Sequence, residues 1–202
     1  MMRKYLLFLM MLTVSFSNAQ EKVKQKARFS IDLKGNLGIP VGDNFMADGL
    51  KTFSGYGLGF QAVFVKDFGL GAEFNQMFSS VKDVSVFGAL EDPRLTDLSF
   101  YVIYLHSFGE SGLDVEAKAG IGSLFLRSES INWGDKFRQY GNQYILGAKL
   151  LYTISKPNNV QIFFGPKLYF FTSDINFENR KIEKYYSNAT ILNLNLGIRF
   201  NF

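Results

Sequence analysis

The sequence predicts an all-β fold: an eight-stranded antiparallel up-and-down transmembrane β-barrel that follows a cleaved signal peptide. Three observations point there. The first residues form a short apolar run flanked by basic and small residues. Eight later segments alternate apolar and polar side chains with a period of two. The connections between those segments alternate between short and long.

Arg3 and Lys4 precede an almost unbroken apolar stretch from Tyr5 to Phe16, and Ser17-Asn18-Ala19 supplies the small residues of a cleavage site. The stretch of about twelve residues is too short for a spanning helix, which needs roughly twenty. The expected organisation is a signal peptide over 1–19, a periplasmic leader over 20–27 carrying Lys22, Lys24 and Lys26, and a barrel over 28–202. With the signal peptide cleaved near Ala19, the expected location of the barrel is the cell outer membrane. The chain has no cysteine, which excludes disulfides, thiolate metal sites and a lipid-anchoring cysteine. Without Arg3 and Lys4, the 22 basic residues fall to 20 against 18 acidic ones, too small an excess for a nucleic-acid partner. The informative excess is aromatic, 16% of residues, together with 19 glycines. That pairing suits closely approaching strands with an apolar exterior.

The eight predicted strands are Arg28–Ile39, Gly55–Val65, Phe68–Phe78, Leu98–Phe108, Leu113–Phe125, Gln143–Ile154, Val160–Phe171 and Leu192–Phe202. The last is the cleanest, with Leu192, Leu194, Leu196, Ile198, Phe200 and Phe202 alternating with Asn193, Asn195, Gly197, Arg199 and Asn201. Leu98–Phe108 is apolar on both faces, so its inward set stays open. Lys66-Asp67, Gly109–Gly112 and Lys156–Asn159 read as tight periplasmic turns. Pro40–Ser54, Ser79–Thr96, Arg127–Asn142 and Thr172–Asn188 read as long extracellular loops. Pro166 lacks a donor inside the seventh strand, so a bulge or a locally broken ladder is expected at Gly165-Pro166.

Alternation alone does not say which face meets solvent. Aromatic residues gather near the strand ends of the apolar face, as in a membrane belt. The opposite face is rich in glycine with scattered charge, unlike a water-facing exterior. The polar face is therefore placed inside, where eight strands leave a lumen just wide enough for side chains. Its expected charged set is Asp32, Glu73, Asp114 and Glu116 against Lys34, Lys118, Lys149, Lys167 and Arg199. Buried charges persist when paired and hydrogen-bonded, so a network of ion pairs across the lumen is expected. Such a network is either a structural plug or a gate.

Catalytic chemistry has little to stand on. The sole histidine, His106, lies near the periplasmic end of the fourth strand without a nucleophile and acid around it. One histidine and no cysteine make a poor metal set, and no cofactor is expected. The loop acids Asp43, Asp48, Glu91 and Asp92 could hold calcium weakly but read better as solvated charges. The run Gly55–Phe60 is strand backbone rather than a phosphate loop, because no helix follows it. Recognition at the cell surface has the most residues behind it: Trp133, Phe137, Arg138 and Tyr140, then Arg180, Lys181, Lys184, Tyr185 and Tyr186. Basic residues interleaved with aromatics suit lipopolysaccharide phosphates, outer-membrane lipid or a protein partner.

The ending Ser17-Asn18-Ala19-Gln20, the glycine-and-aromatic strands and the terminal Leu192–Phe202 resemble the outer-membrane β-barrel domain family common in Bacteroidetes, which includes PorT-like proteins alongside small OmpX-like barrels. The resemblance covers essentially all of the mature chain. It implies that Phe200 and Phe202 are the terminal signal read by the barrel-assembly machinery, and PorT-like members are linked to a secretion system. The function expected is a non-enzymatic barrel with a structural or surface-interaction role, its lumen plugged by charge. The alternative is a narrow channel or a secretion- or transport-associated component.

Overall fold

Period-two alternation over eight segments makes eight strands: β1 (Arg28–Val41), β2 (Phe53–Val65), β3 (Phe68–Phe78), β4 (Leu90–Ser107), β5 (Leu113–Ser130), β6 (Lys136–Ser155), β7 (Val160–Ser173) and β8 (Asn188–Asn201). The computed structural model describes residues 27–130, 136–155 and 159–202. The expected signal peptide, most of the leader, Trp133 and most of the Lys156–Asn159 turn lie outside those residues. Each strand pairs antiparallel with its neighbours in sequence, and β1 closes on β8 from Ser30↔Asn201 to Val41↔Thr190. Closure leaves no sheet edge, so the ladder satisfies backbone donors and acceptors without water.

The faces sort as the pattern predicts. Leu196 and Ile198 on β8 are 68% and 41% exposed on the outside, whereas Lys118, Lys149 and Arg199 are 4%, 3% and 1% exposed within the lumen. An exterior of phenylalanine, leucine and tyrosine is the surface that acyl chains solvate. Aromatic pairs mark both rims of this band. Phe68 packs on Tyr104 at one end, and at the other Tyr56 packs on Phe78 and Phe125 on Tyr140. On β4 the open question resolves: Ser99, Tyr101, Ile103 and Leu105 point inward, and Leu98, Phe100, Val102 and Tyr104 outward.

Glycine makes room for the lumen's long side chains. The inward face of β2 carries Gly55, Gly57 and Gly59 in succession. A Cβ on Gly57 would sit 2.8 Å from Lys34 Cε, and one on Gly147 would sit 2.7 Å from Lys167 Cγ. Lysine stems thus lie flat across bare backbone. The same barrel with alanines there would be overfilled.

One expectation needs correction, and another resolves between its two alternatives. The second and third loops are shorter than expected, because β4, β5 and β6 extend to 18, 18 and 20 residues. The upper ends of these strands rise past the apolar band, where outward residues are polar and the sequence no longer signals a lipid-facing strand. At Pro166 the locally broken ladder forms, without a bulge. Its register with β8 is continuous, while on the β6 side the ladder lapses between Gly147↔Lys167 and Leu150↔Phe164 without changing offset. The missing donor therefore breaks pairing on one side only. Beside it, Asn195 Nδ2 donates to Gly165 O at 2.8 Å from inside the lumen.

The long loops fold back over the upper mouth. Asn44 caps a short helix, α1 (Phe45–Gly49), accepting from the Met46 and Ala47 amides and donating to Val41 O at 2.8 Å. This pins α1 across the opening, with Phe45 and Met46 buried. A second short helix, α2 (Val84–Phe87), stacks Phe87 against Phe45 at 6.1 Å. A third, α3 (Arg180–Ser187), sets Tyr186 against Phe45 at 5.9 Å.

Candidate functional site

The lumen is built in tiers, because successive inward residues on each rising strand stand one above the next. The lowest charged tier joins Asp32 (β1), Glu116 (β5), Lys149 (β6) and Arg199 (β8). Asp32 and Arg199 are direct ladder partners, as are Glu116 and Lys149. Two cross-strand pairs on separate parts of the wall then link across the axis. Arg199 donates to Asp32 from Nε at 2.6 Å and Nη2 at 2.9 Å, and reaches Glu116 from Nη1 at 2.8 Å. Lys149 Nζ contacts Glu116 at 3.1 Å and also pairs with Asp32. Signs alternate around the ring, and the two-pronged guanidinium contact is the strong geometry.

The middle tier draws on alternate strands: Lys34 (β1), Glu73 (β3), Lys118 (β5) and Lys167 (β7). All three ammoniums converge on Glu73, Lys34 at 2.6 Å and Lys118 at 2.8 Å. Aromatic rings share the excess positive charge. Lys118 lies 4.5 Å from the Tyr101 ring centre and Lys167 lies 4.8 Å from that of Tyr169. Lys167 Nζ also donates to Tyr169 OH at 2.7 Å, and that hydroxyl donates to Asp97 at 3.0 Å.

Asp97 is the centre of the third tier and was missed in the sequence. It is fully buried and accepts from Asn75, Ser99, Gln143 and Tyr169. The signal was present but hidden. Leu98–Phe108 is apolar on both faces, and only once Leu98 is placed outward does Asp97 turn inward. Asp114 departs from expectation in the opposite sense. It lies one step below Glu116 at the periplasmic mouth, half-buried, and accepts from Gln161 Nε2 at 2.6 Å instead of joining an ion pair. Water reaches it there, so it needs no cation.

Apolar layers bound the charged tiers. Above them lie Phe45, Met46, Phe53, Met77, Leu124, Ile191 and their neighbours; below lie Val63, Ile103, Leu105, Leu151 and Phe163.

The residues expected at the surface separate into different places. Arg138 belongs to β6 rather than to a loop, projecting outward beside β5. Arg180, Lys181, Lys184 and Tyr185 lie together on α3, which Asn179 caps by accepting from the Lys181 amide at 2.9 Å. Gln139 Nε2 holds α3 to the wall by donating to Tyr186 O at 2.8 Å. Tyr185 OH donates to Asp48 at 2.9 Å, and partial burial together with that carboxylate pushes its phenol up to about 12. Asp48 is thereby engaged, while Glu91 and Asp92 lie at the β4 bulge. Among the described residues no three metal-ligating side chains cluster. His106 is exposed on the outer wall, stacked on Tyr104 and edge-on to Phe108. Phe202 is 72% exposed, its amide donating to Phe29 O at 2.8 Å, while Phe200 pairs with Ile31.

Because Glu73 alone answers three buried ammoniums, Glu73→Gln is expected to lower unfolding stability by about 3–5 kcal/mol. Lys34→Met, which leaves Glu73 with two partners, costs less. Urea unfolding in detergent micelles measures both, and equal losses would contradict the hub.

No family model matches the chain, and no curated protein matches its sequence. Solved structures do. Neisserial surface protein A is similar at 12% identity and TM-score 0.59, over 87% of this chain and 97% of that one. A major outer membrane protein from Thermus thermophilus is similar at 14% identity and TM-score 0.62, over 88% and 100%. Ail, the attachment invasion locus protein of Yersinia pestis, solved with the heparin analogue sucrose octasulfate, is similar at 16% identity and TM-score 0.53, over 87% and 97%. At these identities the likeness is one of architecture: the chain has the fold of the small outer-membrane β-barrels.

Proposed function

We propose that this chain resides in the outer membrane as a barrel that does not conduct, is not an enzyme, and acts through its extracellular end. The observation that carries the reading is the lumen. Two ion-paired tiers and the Asp97 tier span it from wall to wall, between apolar layers above and below. An ion entering would have to displace Arg199 from two carboxylates and then cross the layer around Phe45 and Met46. The charges therefore serve as a structural plug. In planar bilayers the wild type and Arg199→Met are both expected to stay closed. Stepwise conductance from the wild type would overturn the plug in favour of a narrow channel, and conductance only from Arg199→Met would make the network a gate.

The outward-acting surface we assign is α3, which presents Arg180, Lys181 and Lys184 to solvent beside Ile182, itself 45% exposed. A basic helix with one apolar residue suits an acidic protein partner. Reversing the three charges (Arg180→Glu, Lys181→Glu, Lys184→Glu) is expected to cut surface adhesion of expressing cells about tenfold while leaving the barrel heat-modifiable. Unchanged adhesion would retire α3.

The terminal strand supports a place among Bacteroidetes-type barrels, with Phe200 and Phe202 read by the assembly machinery. Deleting Phe202 is expected to reduce heat-modifiable protein recovered from outer membranes; full recovery would remove that role. A secretion-linked role of the PorT-like kind would require a partner at the same extracellular end.

A further inference from the structure

Three arginines stand side by side on the outer wall. Phe78 on β3 is the ladder partner of Arg94 on β4, Arg94 of Arg127 on β5, and Arg127 of Arg138 on β6. Directly opposed residues share a face, and all three arginines are exposed. Neighbouring strands lie about 4.8 Å apart, so the row spans roughly 10 Å around the barrel.

Its height is the second fact. One pleat toward the periplasm the same strands carry Thr96, Phe125 and Tyr140, with the two rings edge-to-face at 5.3 Å. Below them the outward face of β5 reads Ser123, Ile121, Ala119 and Ala117. The guanidiniums thus begin where the acyl region ends, at the headgroups of the outer leaflet.

Like charges directly opposite one another repel. Among the described residues, no carboxylate lies within 4.0 Å of any of the three. Arg94 lies over the Phe78 ring, 5.9 Å from its centre. A cleft of about 250 Å³ opens at the row. Its outer rim carries Asp92 with Glu91 and Glu129, the last two ladder partners one pleat further from the membrane, and Lys136 lies 4.0 Å from Glu129. Those acids lie on the water side of the row, so an anion anchored in the bilayer beneath reaches the guanidiniums without passing them. The planar guanidinium fork matches phosphate oxygens two at a time.

We propose that Arg94, Arg127 and Arg138 bind the phosphate groups of an outer-leaflet glycolipid. The bound phosphate relieves the repulsion within the row and fixes the barrel's depth and rotation against its lipid neighbours. The inference rests on outer-membrane residence, which membrane fractionation and heat-modifiability test separately.

The test uses the folded full-length mature chain in detergent micelles, titrated by native mass spectrometry with a diphosphorylated lipid A-type glycolipid and with the same glycolipid dephosphorylated. The phosphorylated form is expected to bind at least about tenfold more tightly. The triple variant Arg94→Gln, Arg127→Gln, Arg138→Gln should lose about tenfold in affinity for it while keeping its heat-modifiable fold. Arg127→Lys, which keeps the charge but not the fork, should lose about threefold. Lys181→Gln with Lys184→Gln, in a separate cleft, should stay within about twofold of wild type. Equal binding of the two glycolipids, or wild-type affinity in the triple variant or in Arg127→Lys, overturns the proposal. So does displacement of the glycolipid by equimolar inorganic phosphate, which would make this a site for the free ion.

Discussion

In a medium without water, every backbone amide and carbonyl must find its partner inside the protein, and from that constraint the rest of this structure follows. The sheet closes, with β1 on β8, because an open edge would leave a row of bare donors and acceptors in lipid. Closing at eight strands fixes a narrow lumen. In so narrow a space, inward side chains from separate walls cannot avoid one another, so their charges must be complementary. The pairing of Asp32 with Arg199 on one part of the wall and Glu116 with Lys149 on another, then of each pair with the other, is that complementarity in its simplest form.

Volume sets the companion constraint. Lysine and arginine stems are long, and a lumen lined by ordinary residues would not hold five of them. Glycine at 57 and 147 gives up its own side-chain space to a neighbour's stem. Glycine and charge are therefore two halves of one arrangement rather than separate compositional traits. The rings of Tyr101, Phe163 and Tyr169 complete it by lying against the cations that the carboxylates do not fully neutralise.

The sequence made the barrel, its strand count and its inside-out polarity legible because those rest on period-two alternation, which survives without knowledge of partners. Eight of the nine charged residues expected in the lumen meet there, since each sits on a strand whose faces are chemically distinct. Asp97 escaped because β4 is apolar on both faces from Leu98 to Phe108, which hid the strand's inward set, and Asp114 was misplaced because alternation gives a face but not a height. The same blindness to height hid the tops of β4, β5 and β6, whose outward residues are polar. It also grouped Arg138, on the wall of β6, with the α3 residues that share its composition. The stopper formed by α1 left no periodic signal at all. Five residues make little more than one turn, and only Asn44 ahead of Phe45 and Met46 hints at it.

The middle tier has a temporal meaning as well as a spatial one. Its four members come from the first, third, fifth and seventh strands, one from each successive hairpin. A sheet still lacking its final hairpin would leave Glu73 with two of its three ammoniums, and Asp32 would lack Arg199 across the seam. Such an intermediate must keep its inner surface wet. Water can leave the interior only when the last hairpin docks, so dehydration and closure become a single event, and a mispaired or truncated wrap betrays itself by remaining hydrated.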